Sequence, residues 1–203
     1  MDKSINLRKT FNNEAKLYNS IRPTYPKELF DSIFKFAKFK KDAFFLEIGP
    51  GTGQATKPFA ERGYKIIAVE LGTALSNLAK KNLNHYKNVK IINDSFENVK
   101  LQKNSFDLVY AATAFHWIKP KFKFNKPYQI LKDGGYLAII RTNHVSDEKE
   151  DQFFFTFQEI YRKYGFRRHD KKFSLNKIAD LKPDQVDKNL FIPVFFRTFP
   201  LVI

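Results

Sequence analysis

Short apolar runs alternate with helix-like patterns along the middle of the chain. Five of these runs predict strands, over residues 43–48, 65–70, 89–92, 106–111 and 136–140. Apolar positions that recur every three to four residues predict helices starting near Gln54 and over 73–83 and about 121–131. Strands and helices that alternate at this spacing are typical of a parallel sheet with helices on both faces. The pattern therefore predicts an α/β fold with a doubly wound, mostly parallel sheet.

The segments on either side of this core give weaker patterns. One helix is predicted over residues 5–18 and another from Pro26, where proline suits the start of a helix. We expect residues 1–40 to form an N-terminal helical cap and residues 41–145 the core. Residues 146–203 form a C-terminal part with a predicted amphipathic helix near 148–164 and one candidate strand, 191–200. The length favours a single domain, 1–203.

A glycine-rich loop follows the first predicted strand. The residues from Glu47 to Gly53 read Glu-Ile-Gly-Pro-Gly-Thr-Gly. Glycines at alternate positions let the backbone turn sharply and approach a ligand closely. The dinucleotide fingerprint spaces its glycines G-x-G-x-x-G, whereas here Gln54 stands at the third glycine position. Since a carboxylate at Glu47 would repel a pyrophosphate, the loop favours a cationic ligand.

Acidic residues also stand at the ends of the next two predicted strands. Glu70 ends the second strand and Asp94 follows the third. The carboxyl ends of parallel strands meet at one edge of the sheet, where ligands bind at the switch point. Glu70 could accept hydrogen bonds from both hydroxyls of a ribose, which suits a nicotinamide dinucleotide as well as other adenosine ligands. Asp94 could accept from an adenine amino group, or it could cap a turn or helix.

The loop motif Glu47-x-Gly49-x-Gly51-x-Gly53 resembles the first motif of class I S-adenosylmethionine-dependent methyltransferases, E/D-x-G-x-G-x-G. The resemblance covers about residues 10–145. It implies a Rossmann-like fold, S-adenosylmethionine as cofactor and an N-terminal helical lid. Within this class, the stretches Arg22-Pro-x-Tyr25-Pro and Ala114-Phe-His-Trp-Ile resemble the branch that holds trans-aconitate methyltransferases.

The resemblance also implies which residues form the site. Those expected to bind the cofactor are Tyr18, Arg22, Glu47, Gly49, Gly51, Gly53, Glu70, Leu71, Asp94, Ser95, Phe96, Ala111 and Thr113. Those expected to line the substrate pocket are Tyr25, His116 and Trp117.

Three of these positions have more than one interpretation. His116 is the candidate catalytic residue, as a general base or as a hydrogen-bond donor to the acceptor. In the alternative interpretation, His116 forms a hydrogen bond to the backbone or the cofactor and transfers no proton. Trp117 is a pocket wall or a core residue. In one interpretation, Arg22 contacts either the cofactor carboxylate or an acidic substrate. In the other, it is a surface arginine beside a proline turn.

The implied reaction is direct methyl transfer to a small-molecule acceptor at oxygen or carbon. The sulfonium methyl is already activated, so the enzyme mainly aligns the acceptor and excludes water. Residues 112–115 (Ala-Thr-Ala-Phe) replace the Asn/Asp-Pro-Pro-aromatic stretch of exocyclic-amine methyltransferases, which argues against methylation of N6-adenine or N4-cytosine. The sequence shows no cluster with metal-ligand spacing, so we expect no metal.

Composition narrows the alternatives. The net charge of +15 comes mostly from lysines spread along the chain, which indicates a solvated surface more than a nucleic-acid interface. A positive charge of this size also favours an anionic acceptor. The absence of cysteine excludes disulfides, thiolate metal sites and methylation of cytosine C5 through a cysteine nucleophile. The remaining alternatives are an RNA or protein methyltransferase, a nicotinamide-dependent oxidoreductase and a cofactor-binding pseudoenzyme.

No apolar run is long enough for a membrane span, and no signal-peptide core is found. We therefore expect a cytoplasmic protein, without membrane partners, that is a monomer or a homodimer.

Overall fold

The computed structural model describes residues 24–143, 145–146, 156, 159 and 176–200. Among these, residues 24–141 and 186–200 belong to one compact unit and those between 142 and 185 to another. Residues 1–23, with the first predicted helix and most of the predicted lid, lie outside the described residues, as does most of the predicted helix over 148–164. The single domain, its boundaries and the lid stay predictions.

The first unit is built on a five-stranded sheet in which every pairing is parallel. The strands are β1 (Phe44–Ile48), β2 (Lys65–Glu70), β3 (Val89–Asn93), β4 (Phe106–Ala112) and β5 (Leu131–Ile140). Their order in the sheet is β3-β2-β1-β4-β5. The order reverses direction between β1 and β4, and the crevice at such a reversal is where doubly wound sheets bind ligands. The predicted fold class is confirmed.

Helices connect these strands. They are α1 (Lys27–Ala37), α2 (Thr56–Ala60), α3 (Thr73–Asn82), α4 (Pro120–Lys123) and α5 (Asn125–Ile130), with a 3-10 turn at Phe115–Trp117. The second unit holds a short parallel pair, β6 (Val145–Ser146) and β7 (Asn176–Lys177), followed by a 3-10 turn at Ile178–Asp180.

Each face of the sheet has its own apolar core because successive strand residues point to opposite faces. On one face Phe45 and Leu108 pack with Phe30 of α1 and Phe59 of α2. The other face carries a second buried cluster, whose members include Leu46, Ile48, Val109, Ala111, Ile118 and Ile130. Helices therefore cover both faces, and the ends of the central strands are held from two sides.

The single helix predicted over about 121–131 is wrong, because the structure has two short helices that meet at Phe124. Pro127 explains the break. A proline inside a continuous helix has no N–H to donate to the carbonyl four residues earlier, and its ring clashes there. The chain accommodates Pro127 near the start of α5 instead, where this donor is not needed.

The sequence Asp133-Gly134-Gly135 suggests a turn, but these residues lie inside β5. Phe106 pairs with Leu131 and Leu108 pairs with Tyr136, so the residues between Leu131 and Tyr136 bulge from the ladder. Gly134 takes a φ of +72° in this bulge. Strand β5 is therefore longer than predicted and is interrupted by the glycines that suggested the turn.

The candidate strand over residues 191–200 is wrong, since the structure has no strand within 181–200. Pro193 cannot donate to a sheet ladder, which explains part of the difference. The aromatic residues of this segment contact side chains elsewhere in the first unit: Phe191 lies 6.2 Å from Phe124, and Phe195 lies 4.9 Å from Phe36, between ring centroids. Ile192 and Val194 of the same segment are exposed, so packing accounts for only part of its apolar character.

Within the residues that the structure describes, no helix is both long enough and apolar enough to cross a membrane.

Candidate functional site

The glycine loop leaves the end of β1 in a conformation that requires glycine. Gly49, Gly51 and Gly53 take φ values of +65°, +59° and +98°, a region that side chains with a Cβ rarely adopt. The Gly49 amide donates to the Val69 carbonyl at 2.9 Å. A Cβ on Gly49 would lie 2.7 Å from the Cβ of Ala114. The loop therefore lies against the ends of both β2 and β4.

Glu47 lies directly before this loop and is completely buried. It pairs in register with Tyr110 of β4. The Tyr110 hydroxyl donates to Glu47 Oε2 at 2.8 Å, and the Thr56 hydroxyl of α2 donates to the same oxygen at 2.5 Å. The other oxygen, Oε1, is buried and receives no hydrogen bond from the described residues. A buried polar atom without a partner is costly, so a ligand donor at Oε1 would be favourable.

Burial raises the pKa of Glu47 from 4.5 to about 7. The hydrogen bonds from Thr56 and Tyr110 oppose this rise, and the charge of Glu70 adds to it. The sequence suggests a permanently charged carboxylate at this position, but the structure gives one that changes charge near neutral pH. Neither Thr56 nor Tyr110 was among the sequence-predicted site residues.

Glu70 at the end of β2 is held in another way. Its Oε2 accepts from the Gly51 amide at 2.9 Å and its Oε1 from the Gly72 amide at 2.8 Å. Glu70 therefore ties the glycine loop to the loop after β2. Each carboxylate oxygen has two lone pairs, so Glu70 can still accept hydrogen bonds from a ligand.

The segment after β3 is fixed to the end of β2 by backbone and side-chain hydrogen bonds. The Asp94 amide donates to the Glu70 carbonyl at 3.1 Å. The Asn93 side chain donates to the carbonyls of Glu70 and Leu71 at 2.9 and 3.2 Å. Asp94 Oδ1 accepts from the Ser95 amide at 2.7 Å. The structure thus brings Leu71, Asp94 and Ser95 to the same edge of the sheet as Glu70, and it adds Asn93 to the predicted set.

Phe96 is buried, and a lysine from α5 supports the turn that contains it. Lys126 Nζ donates to the carbonyls of Phe96, Glu97 and Val99 at 2.5, 3.2 and 2.7 Å. Desolvation lowers the pKa of Lys126, while the nearby carboxylates of Glu97 and Asp94 raise it. Lys126 lies 30 residues from Phe96 in the sequence, so no local pattern could indicate this contact.

The predicted residues around the end of β4 lie in two environments. Ala111 is completely buried in an apolar cluster. Thr113 is half-buried and has a positive φ of +56°. Its Oγ1 lies 2.9 Å from the hydroxyl of Tyr25. This hydrogen bond joins the segment before α1 to the segment after β4, two parts that the sequence analysis assigned to one site.

His116 and Trp117 form most of the 3-10 turn that follows. His116 is exposed and Trp117 is half-buried, and their rings lie 4.7 Å apart. An exposed imidazole is accessible to an acceptor, although the position does not by itself assign a proton transfer. Tyr18 and Arg22 lie outside the described residues, so their roles stay predictions. In the described part of the chain, no group of three or more His, Asp or Glu side chains is placed to bind a metal ion.

Comparison with known proteins identifies the core. Residues 46–139 match a family model described as a methyltransferase domain. "Probable S-adenosylmethionine-dependent methyltransferase CRG1" of Saccharomyces cerevisiae is 30% identical over 172 residues, which cover 83% of this chain and 57% of that protein. A methyltransferase-like protein of Schizosaccharomyces pombe, C25B8.10, is 30% identical over 133 residues, covering 65% of this chain and 51% of that protein.

A solved structure shows the same fold. Phosphoethanolamine N-methyltransferase 2 of Haemonchus contortus, in complex with phosphomonomethylethanolamine and S-adenosylhomocysteine, superposes with a TM-score of 0.59 at 20% identity. The match covers 87% of this chain and 41% of that protein.

The chain spans little more than half the length of the two curated relatives. The matched domain nevertheless contains the glycine loop, Glu47, Glu70 and Asp94 on the expected strands. Residues 46–139 therefore match a methyltransferase domain, and the chain is similar in sequence to a probable S-adenosylmethionine-dependent methyltransferase.

Proposed function

We propose that this protein binds S-adenosylmethionine at the carboxyl ends of β1 to β3 and directs methyl transfer to oxygen or carbon of a small-molecule acceptor. The buried carboxylate of Glu47, whose Oε1 receives no hydrogen bond from any residue that the structure describes, carries this proposal. An ammonium group would satisfy Oε1 through a charge-assisted hydrogen bond. A nicotinamide dinucleotide has no ammonium group to donate a hydrogen bond there.

The residues present fit the cofactor along its length. Glu47 would accept from its amino group, Glu70 from its ribose hydroxyls and Asp94 from its adenine amino group. A Cβ on Gly49 would collide with Ala114 and one on Gly53 with Leu83, so glycines let the loop pack closely against its neighbours. When bound, the cofactor supplies a methyl group on a positively charged sulfur, which needs no further activation.

The acceptor would be bound by the residues that follow β4 and precede α1. Tyr25 and Thr113 are already joined there by a hydrogen bond, and His116 and Trp117 follow on the next turn. His116 would take the proton from a hydroxyl or carbon acceptor, whereas a carboxylate acceptor has no proton to lose. We favour a carboxylate, because the net charge of +15 attracts anions and the sequence resembles the trans-aconitate methyltransferase branch.

Isothermal titration with S-adenosylhomocysteine and with NAD(H) tests the cofactor. We expect micromolar binding of S-adenosylhomocysteine and no binding of NAD(H). The reverse result would contradict the proposal and support a nicotinamide-dependent oxidoreductase.

A methyl-transfer assay that follows release of S-adenosylhomocysteine tests the acceptor. Small carboxylic acids, phenols, bulk RNA and bulk protein are compared as acceptors. We expect turnover with an organic acid. Turnover only with RNA, lost steeply as salt is added, would favour an RNA methyltransferase, and turnover only with protein would favour a protein methyltransferase. Cofactor binding without turnover on any acceptor would favour a pseudoenzyme.

His116→Ala separates the two interpretations of this histidine. We expect turnover to fall more than affinity for S-adenosylhomocysteine. Equal loss of both would show that His116 binds or supports the cofactor and transfers no proton.

A further inference from the structure

Both hydroxyl donors around Glu47 bind the same carboxylate oxygen. Tyr110 approaches from β4 and Thr56 from α2, and both hydrogen bonds end on Oε2. Tyr110 is itself fully buried, with its ring 4.6 Å from the ring of Phe59 between centroids, so packing holds the phenol in place. The two oxygens of the carboxylate are therefore no longer equivalent, and Oε1 is left as the acceptor for a ligand.

We propose that Tyr110 and Thr56 are positioning residues for Glu47, and that binding of the cofactor ammonium displaces a proton from this carboxyl group. The inference rests on the proposed function and adds to it a dependence of cofactor affinity on pH. The proton balance is simple: a protonated Glu47 and a ligand ammonium give a carboxylate–ammonium pair and one proton released to solvent.

The surroundings of Glu47 support this coupling. Burial raises the pKa of Glu47, the two hydroxyls from α2 and β4 lower it, and the negative charge of Glu70 on β2 raises it. The net result is a pKa of about 7. Burial and the Glu47 carboxylate keep the pKa of Tyr110 well above its ordinary value, so Tyr110 remains a hydrogen-bond donor throughout. Of the two buried partners, only Glu47 changes charge near neutral pH.

The direction of the pH effect follows from linkage. Below about pH 7 the free protein holds a proton on Glu47, and this proton must leave when an ammonium binds. Affinity for the ligand therefore falls by up to about tenfold for each unit by which the pH decreases. The amino group of the ligand stays protonated in this range. Above the pKa of Glu47 the carboxylate is already ionised and this dependence disappears.

Isothermal titration with S-adenosylhomocysteine tests the proposal in the protein of residues 1–203. Titrations at about pH 6, 7 and 8, each in two buffers of different ionisation enthalpy, give both the affinity and the number of protons released. We expect release of close to one proton at about pH 6 and almost none at about pH 8.

Tyr110→Phe keeps the ring and removes only the hydroxyl. Without this donor the carboxylate is less stable, so we expect affinity at about pH 7 to fall about tenfold and the midpoint of the pH profile to move upward. Tyr86→Phe is the matched control, because the Tyr86 hydroxyl donates to Glu61 on the protein surface. This control should bind like the unmodified protein at every pH.

Glu47→Gln shows whether Tyr110 acts through Glu47. We expect this variant to bind weakly, without pH dependence or proton release, and we expect Tyr110→Phe to cause little further loss in it. Thr56→Val should shift the profile in the same direction as Tyr110→Phe, which covers the case in which one of the two variants fails to fold.

The outcomes are distinguishable. Absence of S-adenosylhomocysteine binding at all pH values would overturn the proposed function itself. Binding without proton release at about pH 6 would overturn the coupling alone. An unchanged pH midpoint in both Tyr110→Phe and Thr56→Val would overturn the positioning role. It would also be overturned if Tyr110→Phe lowered affinity as much in the Glu47→Gln variant as in the unmodified protein.

Discussion

Glu47 and Glu70 end neighbouring parallel strands and are both buried, yet their carboxylates are held by different kinds of donor. Each oxygen of Glu70 accepts from a backbone amide, of Gly51 or Gly72. Both donors to Glu47 are side-chain hydroxyls, and both bind one oxygen. Backbone amides cannot be lost by a single side-chain substitution, whereas hydroxyl donors can.

The difference suggests a division of roles within one site. Glu70 organises the site before any ligand arrives, because it connects the glycine loop to the loop after β2. One oxygen of Glu47 receives no hydrogen bond from the described residues and its pKa is about 7, so Glu47 gains most from a cationic ligand. If so, Glu47 should lower the stability of the free protein and Glu70 should raise it.

The largest expected effect is on the stability of the ligand-free protein. The pKa of Glu47 is raised from 4.5 to about 7 in the folded state. Its contribution to the free energy of unfolding is therefore fully favourable below about pH 4.5 and is lost as the pH rises through about 7. The corresponding free energy is about 3 kcal/mol. We expect Glu47→Gln to be more stable than the unmodified protein by up to this amount at about pH 8 and similar to it at about pH 5.

Urea unfolding at the two pH values measures this difference. Using the difference between variant and unmodified protein removes the contributions of other titrating groups. A Glu47→Gln variant that is less stable at the higher pH would contradict the raised pKa and remove the contrast with Glu70.

Glu70→Gln should have the opposite effect on stability. A glutamine offers one acceptor oxygen, so one of the Gly51 and Gly72 amides would face an amide nitrogen. We expect the fold to lose about 1–2 kcal/mol and affinity for S-adenosylhomocysteine to fall about thirtyfold at about pH 8. The loss should be smaller at about pH 6, because removing the charge of Glu70 lowers the pKa of Glu47.

Glu61→Gln is the control for this substitution, because Glu61 is exposed and lies outside the site. Denaturant unfolding and isothermal titration give the two quantities. A loss of affinity in Glu70→Gln that is larger at about pH 6 than at about pH 8 would contradict the role assigned to Glu70, because removing its charge should lower the pKa of Glu47.

Some of this site could be predicted from the sequence. Glu47 and Glu70 were found because apolar runs marked the strands and parallel strands end at a common edge. Tyr110 and Thr56 were not found, because the partner of Glu47 depends on the register between β1 and β4, and Tyr110 lies 63 residues away. The charge state of Glu47 was missed for the same reason, since it depends on burial by distant segments.

The fold shows the same limit. The five strands were predicted because each is a short apolar run, which is a local property. The helix over 121–131 and the strand over 191–200 were wrong because periodicity was given more weight than Pro127 and Pro193. Proline removes a backbone donor, and this local chemistry prevailed over the apolar pattern.

A smaller effect is expected from the loop that separates the two carboxylates. Gly49→Ala would force a Cβ to within 2.7 Å of the Ala114 Cβ at a φ of +65°. Gly63→Ala is the matched control, because Gly63 has a φ of +83° and open space around its hypothetical Cβ. We expect the control to lose about 1 kcal/mol from backbone strain alone and Gly49→Ala to lose about 1 kcal/mol more.

Thermal or urea unfolding of both variants measures the difference, and isothermal titration should show weaker S-adenosylhomocysteine binding only for Gly49→Ala. Equal destabilisation with unchanged binding in both would mean that the close approach of the loop to the segment after β4 contributes nothing to the site.

The smallest expected effect is that of Tyr25→Phe, which removes a neutral hydrogen bond at the other side of the site. The Tyr25 hydroxyl lies 2.9 Å from Thr113 Oγ1, and a bond between uncharged groups contributes about 1 kcal/mol. We expect affinity for S-adenosylhomocysteine to fall about threefold, with no change in the pH profile, because the hydrogen bonds to Glu47 come from Thr56 and Tyr110. Tyr128→Phe, at an exposed tyrosine, is the control. A shift of the pH midpoint in Tyr25→Phe would mean that Tyr25 also acts on Glu47, and the pH response would then not depend on Thr56 and Tyr110 alone.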